Sequence, residues 1–148
     1  TAVMKNILVP LDLSAISGRV LDVATELAQR MNVKLWLVHV AAPEPDFVGF
    51  DVGPGSVREI RADELRKEHV DLQRLASDLV NRSIQCEALL VQGPTSDTLL
   101  SMITRLNADM VVMGSHGHGA LYKTFVGSIS EQVLSKSPVP VVIVPKKD

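Results

Sequence analysis

Gly114, Gly117, Gly127 and Ser128 are the residues of this 148-residue chain whose types and spacing point most directly to chemistry. Two residues separate the first pair of glycines, and nine separate Gly117 from Gly127. The first pair follows Met110–Met113, an apolar run that reads as a strand. Glycines at that point let backbone N–H groups turn toward one concavity with no Cβ in the way. Gly127-Ser128 then opens a helical stretch, whose first N–H groups and positive dipole end attract an anion. Strand, glycine turn and helix start together suit a chain of phosphates. The pattern is neither a P-loop nor the dinucleotide fingerprint, since it lacks Gly-Lys-Ser/Thr and spaces its glycines differently. Plainer roles stay open. Ser128 with Glu131 also fits a Ser-x-x-Glu capping box, and glycines after a strand often only turn the chain.

Asp12 follows the first apolar run, Asn6–Pro10. Its carboxylate can accept both hydroxyls of a ribose. It can equally cap the helix that comes next. His116-x-His118 looks like a metal pair but has no third ligand near it in sequence. Lys123, inside the nine-residue spacer, could neutralise phosphate or simply be solvated. His39 and His69 read as satisfied structural histidines, and Cys86 as an inert, half-buried thiol. No Ser/His/Asp or Cys/His set can be argued from position, and no carboxylate pair stands out for acid–base work.

The elements that must position these residues come from periodicity. Asn6–Pro10, Lys34–Val40, Ile84–Val91, Met110–Met113 and Pro140–Val144 are short apolar runs that read as buried strands. Between them Val20, Val23, Ala24, Leu27, Ala28 and Met31 recur at helical spacing, as do Leu65, His69, Leu72, Leu75, Ala76 and Leu79 within Arg58–Arg82. Gly93-Pro94-Thr95-Ser96-Asp97 is a turn and helix start ahead of Leu99, Met102, Ile103 and Leu106. Ser128–Ser137 is the fourth helix. Ala41–Val57 holds three prolines and three glycines and reads as a loop. Alternating strands and helices predict an α/β three-layer sandwich, one domain over residues 1–148, with a five-stranded mostly parallel sheet covered on both faces. Ligands of such sheets bind outside the carboxyl ends of the strands, where the strand order reverses, so function is expected after Val9, Val40 and Met113.

Composition narrows the partners. The net charge is −2 and no basic run exceeds two residues outside the tail, which argues against nucleic acid. Aromatics are 3% of the chain, so the core must be aliphatic. A single cysteine excludes an internal disulfide and fits a reducing compartment. The opening residues lack the order of a secretory leader, and no apolar run approaches the roughly 18 residues that span a bilayer. Cytoplasm is the expected location.

The chain resembles the universal stress protein family nearly end to end. The likeness lies in Asn-Ile-Leu-Val-Pro-Leu-Asp (6–12), Val-Gln-Gly-Pro (91–94), Ala-Asp-Met-Val-Val-Met-Gly-Ser-His-Gly (108–117) and Pro-Val-Pro-Val-Val-Ile-Val (138–144). Gly114, Gly117, Gly127 and Ser128 match the Gly-x₂-Gly-x₉-Gly-Ser/Thr of the family's nucleotide-binding branch. The resemblance implies a Rossmann-like fold of the adenine nucleotide alpha hydrolase type and binding of ATP, with or without Mg²⁺, with AMP and cyclic AMP as alternatives. It implies that Pro10 and Asp12 meet the ribose or adenine side, and that Val40 offers its backbone to adenine. Met113 and Gly114 would lie beneath ribose and phosphates, with Gly117, Gly127, Ser128 and Ile129 around the phosphates. A homodimer through the apolar last strand, Val139–Val144, is implied too. The function expected is a nucleotide-dependent regulatory or stress-response module, with slow ATP hydrolysis at the same site as the alternative.

Overall fold

The computed structural model describes residues 3–13, 17–41, 54–115 and 128–145, leaving aside the side chains of 54–61. Among them the apolar runs form β1 (Asn6–Pro10), β2 (Lys34–Ala41), β3 (Cys86–Gln92), β4 (Met110–Gly114) and β5 (Val141–Val144). The helical stripes form α1 (Ser17–Met31), α2 (Pro54–Asn81), α3 (Thr95–Arg105) and α4 (Ser128–Lys136). The sheet runs β3-β2-β1-β4-β5. All four of its pairings are parallel, from Asn6↔Lys34 in β1–β2 to Gly114↔Val144 in β4–β5.

Two aliphatic cores lie against the two faces, as the period-two alternation of a strand requires. Ile7, Val9, Leu35, Leu37 and Val112 pack with Val20 and Ala24 of α1 and Leu72 and Leu79 of α2. Leu8, Val38, Val111 and Met113 pack with Leu99, Met102 and Ile103 of α3 and Val133 of α4. This is the three-layer sandwich expected, with α1 and α2 above the sheet and α3 and α4 below.

Two boundaries differ from the sequence expectation. The stretch expected as loop up to Val57 gives Ala41 to β2 and everything from Pro54 onward to α2. A proline suits the first turn of a helix because its missing N–H would have no intrahelical partner there. The third strand begins at Cys86, not Ile84. Ile84 instead closes α2. Its N–H reaches Leu79 O at 3.0 Å and Ser83 N–H reaches Val80 O at 3.0 Å, with Ser83 left-handed at φ 64°. That is a Schellman ending, in which the following apolar residue packs back on the helix. Asn107 (φ 52°) and the buried Ala108 end α3 the same way, through Ala108 N–H to Ile103 O at 2.9 Å.

At the amino end of the sheet, one carboxylate joins β1 to β4. Asp109 Oδ2 accepts the N–H groups of Lys5 (2.8 Å) and Asn6 (3.0 Å), while Asn6 Oδ1 accepts Trp36 Nε1–H at 3.0 Å. The two backbone hydrogen bonds hold the Asp109 carboxyl below its ordinary value of 3.8. A depressed folded value contributes stability that is complete above 3.8 and is lost as pH falls through the folded value. Asp109→Asn is therefore expected to lower the melting temperature at neutral pH, with the gap to the unmodified chain closing below about pH 4. Thermal melts across pH check this, and a gap that stays constant down to about pH 2 would contradict it.

Candidate functional site

The carboxyl ends of β1, β2 and β4 meet where the strand order reverses. β1 connects through α1 to β2 on one side of it, while β4, on its other side, is reached from β3 through α3. Crossovers leaving a sheet in opposite directions open a crevice between them. Pro10, half-buried, closes β1. Leu11 extends the pairing by one step, its N–H reaching Val38 O at 2.8 Å. Asp12 follows, and its Oδ1 accepts the hydroxyl of Ser17 in the first turn of α1 at 3.2 Å. This ties Asp12 to the start of α1 through a side chain. Leu13 then turns left-handed at φ 61°. A branched side chain is strained there, and such strain persists only where the surroundings impose it.

Val40 lies one residue before the end of β2. Leu35 N–H bonds Gln85 O and Ala41 O accepts Gly93 N–H, so the odd-numbered residues of β2 turn their peptide groups toward β3. By alternation Val38 and Val40 turn theirs toward β1, on the crevice side. Met113 is buried and Gly114 ends β4. The first turn of α4 comes alongside, because the buried Ser130 donates its hydroxyl to Gly114 O at 2.7 Å. Ser128 and Ile129 are exposed at the start of that helix. Ser96 Oγ to Gln132 Oε1, at 2.6 Å, ties α3 to α4 behind it.

Pro10, Asp12, Val40, Met113, Gly114, Ser128 and Ile129 therefore share one edge of the sheet. Gly117 and Gly127 lie outside the described residues, as do His116, His118 and Lys123. Among the described residues no three of His, Cys, Asp and Glu are grouped to hold a metal. His39 is held at both ring nitrogens, Nδ1 on Leu11 O at 2.7 Å and Nε2 at 3.3 Å from Glu68 Oε2. His69, in contrast, is exposed on α2, its Nε2 3.2 Å from the amide nitrogen of Gln73, so it has a partner but is not part of a core. Burial pushes the Cys86 thiol up to about 11, so it stays protonated and a poor nucleophile.

Ser130 was not evident in the sequence. A serine inside a helical stripe looks the same whether it bonds its own helix or a strand, and only its spacing from the apolar Val133 hints that it faces inward. Ser130→Ala should cost about 1–2 kcal/mol, because the Gly114 carbonyl loses its partner in a part-buried setting. Urea unfolding measures this, and a change below about 0.3 kcal/mol would show that the bond does not hold α4 to β4.

Known proteins share both sequence and fold with this chain. The Universal stress protein family profile matches residues 4–145. A Thermus aquaticus relative, the universal stress protein in the QAH/OAS sulfhydrylase 3′ region, is 34% identical over 140 residues, covering 95% of this chain and 98% of that one. The chain belongs to the universal stress protein family. Universal stress protein UspA from Lactobacillus plantarum, at 20% identity, superposes with a TM-score of 0.84 over 97% of this chain and 99% of its own. A universal stress protein in complex with cAMP matches at 23% identity and TM-score 0.65, covering 97% and 98%. One from Archaeoglobus fulgidus in complex with dAMP matches at 21% and 0.63, covering 96% and 98%. These likenesses establish the Rossmann-like α/β fold. No helix among the described residues is long and apolar enough to cross a membrane.

Proposed function

We propose that this chain binds an adenine nucleotide, ATP with Mg²⁺ in first place and AMP or cyclic AMP in competition, and that its bound state is read by another protein in the cytoplasm. The observation behind this is the meeting of three strand ends with the start of α4 at the switch of strand order, directly beside the Gly114-x₂-Gly117-x₉-Gly127-Ser128 spacing. The pieces suit the parts of the ligand. Backbone groups of Val40 on the crevice side offer adenine a donor and an acceptor. Asp12 suits ribose hydroxyls, and its neighbour Pro10 shapes that end. Met113 and Gly114 floor the site. The glycine turn with Ser128 and Ile129 at a helix start suits phosphate oxygens, since no Cβ intervenes and the dipole is favourable. Two relatives of the same fold carry cAMP and dAMP, which share adenine and differ in sugar and phosphate. That supports adenine as the common element.

A nucleotide that binds only the folded state raises stability by mass action, about 2.7 kcal/mol at a hundredfold excess over Kd. Saturating ATP with Mg²⁺ should therefore raise the melting temperature. Gly117→Val should weaken ATP roughly hundredfold or more, equivalent to about 2.7 kcal/mol, while the chain stays folded by circular dichroism. Calorimetric titration decides. A folded variant binding within about threefold of the unmodified chain would leave those glycines as turn residues only.

The same reading includes a homodimer through β5. Two strands lie at the edges of the sheet, β3 and β5. β3 presents exposed Glu87 and Gln92, which discourage pairing, whereas β5 is Val-Val-Ile-Val throughout. Leu134 of α4, 50% exposed, adds apolar surface outside the two cores. Sedimentation at micromolar concentration should give a dimer, and Val142→Lys should give a folded monomer. A dimer unaffected by that change would place the interface elsewhere.

A further inference from the structure

The imidazole of His39 grips the peptide that separates the two sides of the site. Leu11 has its N–H on Val38 O at 2.8 Å and its C=O on His39 Nδ1 at 2.7 Å, so consecutive residues of β2 hold both of its polar groups. A carbonyl only accepts, so Nδ1 is assigned the hydrogen. Nε2 then faces Glu68 Oε2 at 3.3 Å. The contact is sheltered, with the His39 side chain 11% exposed and that of Glu68 30%. Glu68 stands one helical turn before Leu72, which is fully buried against the sheet, so the packing of α2 fixes where the carboxylate sits.

We propose that His39 is a positioning residue for the nucleotide, setting Asp12 against Val40 through the Leu11 carbonyl, and that Glu68 makes this hold an attachment of α2. The inference rests on the nucleotide reading of the site. Leu11 immediately precedes Asp12 and His39 immediately precedes Val40. One ring therefore sets the spacing between the carboxylate assigned to ribose and the backbone assigned to adenine. Leu13, two residues after Leu11, is left-handed at φ 61°, and strain of that kind persists where neighbouring backbone is held, as the Leu11 peptide is.

The test is calorimetric titration of ATP with Mg²⁺ into the unmodified chain, His39→Leu, His39→Asn, Glu68→Ala and a distant core variant, Leu79→Ala. Asparagine keeps an N–H near the position of Nδ1 and gives up the reach to Glu68. His39→Leu should weaken ATP by about tenfold or more, and His39→Asn should recover to within about threefold of the unmodified chain, as expected for one donated hydrogen bond. Glu68→Ala should weaken ATP measurably but no more than His39→Asn does, since both lose the same contact. Leu79→Ala should lower the melting temperature and leave ATP affinity within about threefold, which separates positioning from general stability. Equal affinity in His39→Leu and the unmodified chain would overturn the proposal. So would a folded His39→Asn that binds about tenfold more weakly, and this holds even if His39→Leu does not fold. An unmodified chain that binds no ATP, ADP, AMP or cyclic AMP removes the nucleotide reading and this role together, whereas binding insensitive to His39 removes this role alone.

Discussion

β1 is bonded along both edges and covered on both faces, with Ile7, Leu8 and Val9 wholly buried. That confinement sets the positions of the other parts. A strand in the middle of a parallel sheet cannot shift register by one residue without turning its entire apolar set to the wrong layer. Its end at Pro10 is therefore fixed, and so are the ends of β2 and β4 beside it. With α1 and α2 above the sheet and α3 and α4 below, the connections leave in opposite directions on either side of this strand. The crevice at its carboxyl end is a product of topology before any side chain is chosen.

The polar groups of the two ends are handled differently. At the amino end Asp109, Asn6 and Trp36 close a network that joins β1, β2 and β4 through side chains of the sheet and its turns. At the carboxyl end two carbonyls, those of Gly114 and Leu11, are taken by side chains, one of which comes from a helix. Ser130 comes from α4 to Gly114, and His39, braced by Glu68 of α2, comes from β2 to Leu11. A helix displaced at this end disturbs the backbone of a strand terminus, so helix position and site geometry are linked in one structure.

Strands buried on both faces print themselves as continuous Val, Ile and Leu runs, which is why all five were legible, with bounds close to those observed. The helical stripes were legible for the same reason. Pro54 was misleading because proline signals a break in general yet fits a first helical turn. Ile84 was misleading because an apolar residue that seals a helix end looks like the start of a strand. Among the candidate site residues, Pro10, Val40 and Met113 end apolar runs, Asp12 and Gly114 follow them and Ser128 opens a helix, so their places in the fold were legible, while their roles came from the family resemblance. Ser130 could not be read, and of His39 only the structural role and not the partner, since the carbonyls they bond lie 16 and 28 residues away and nothing local points to them.

The lengths of the connections divide the molecule. From helix to strand they are two to four residues: 32–33, 82–85, 106–109 and 137–140. From strand to helix three of the four are longer or equal in reach to none of these, with six residues at 11–16, twelve at 42–53 and thirteen at 115–127, and only 93–94 is as short. Three of these four short connections are locked into local hydrogen bonds by left-handed Asn32, Ser83 and Asn107. Leu11, which opens the first of the long set, is itself buried in a core and held to β2 at both of its backbone polar groups. The end of the sheet with the candidate site still has more connecting chain open to change in length than the opposite end, where the turns are closed by the helix endings themselves.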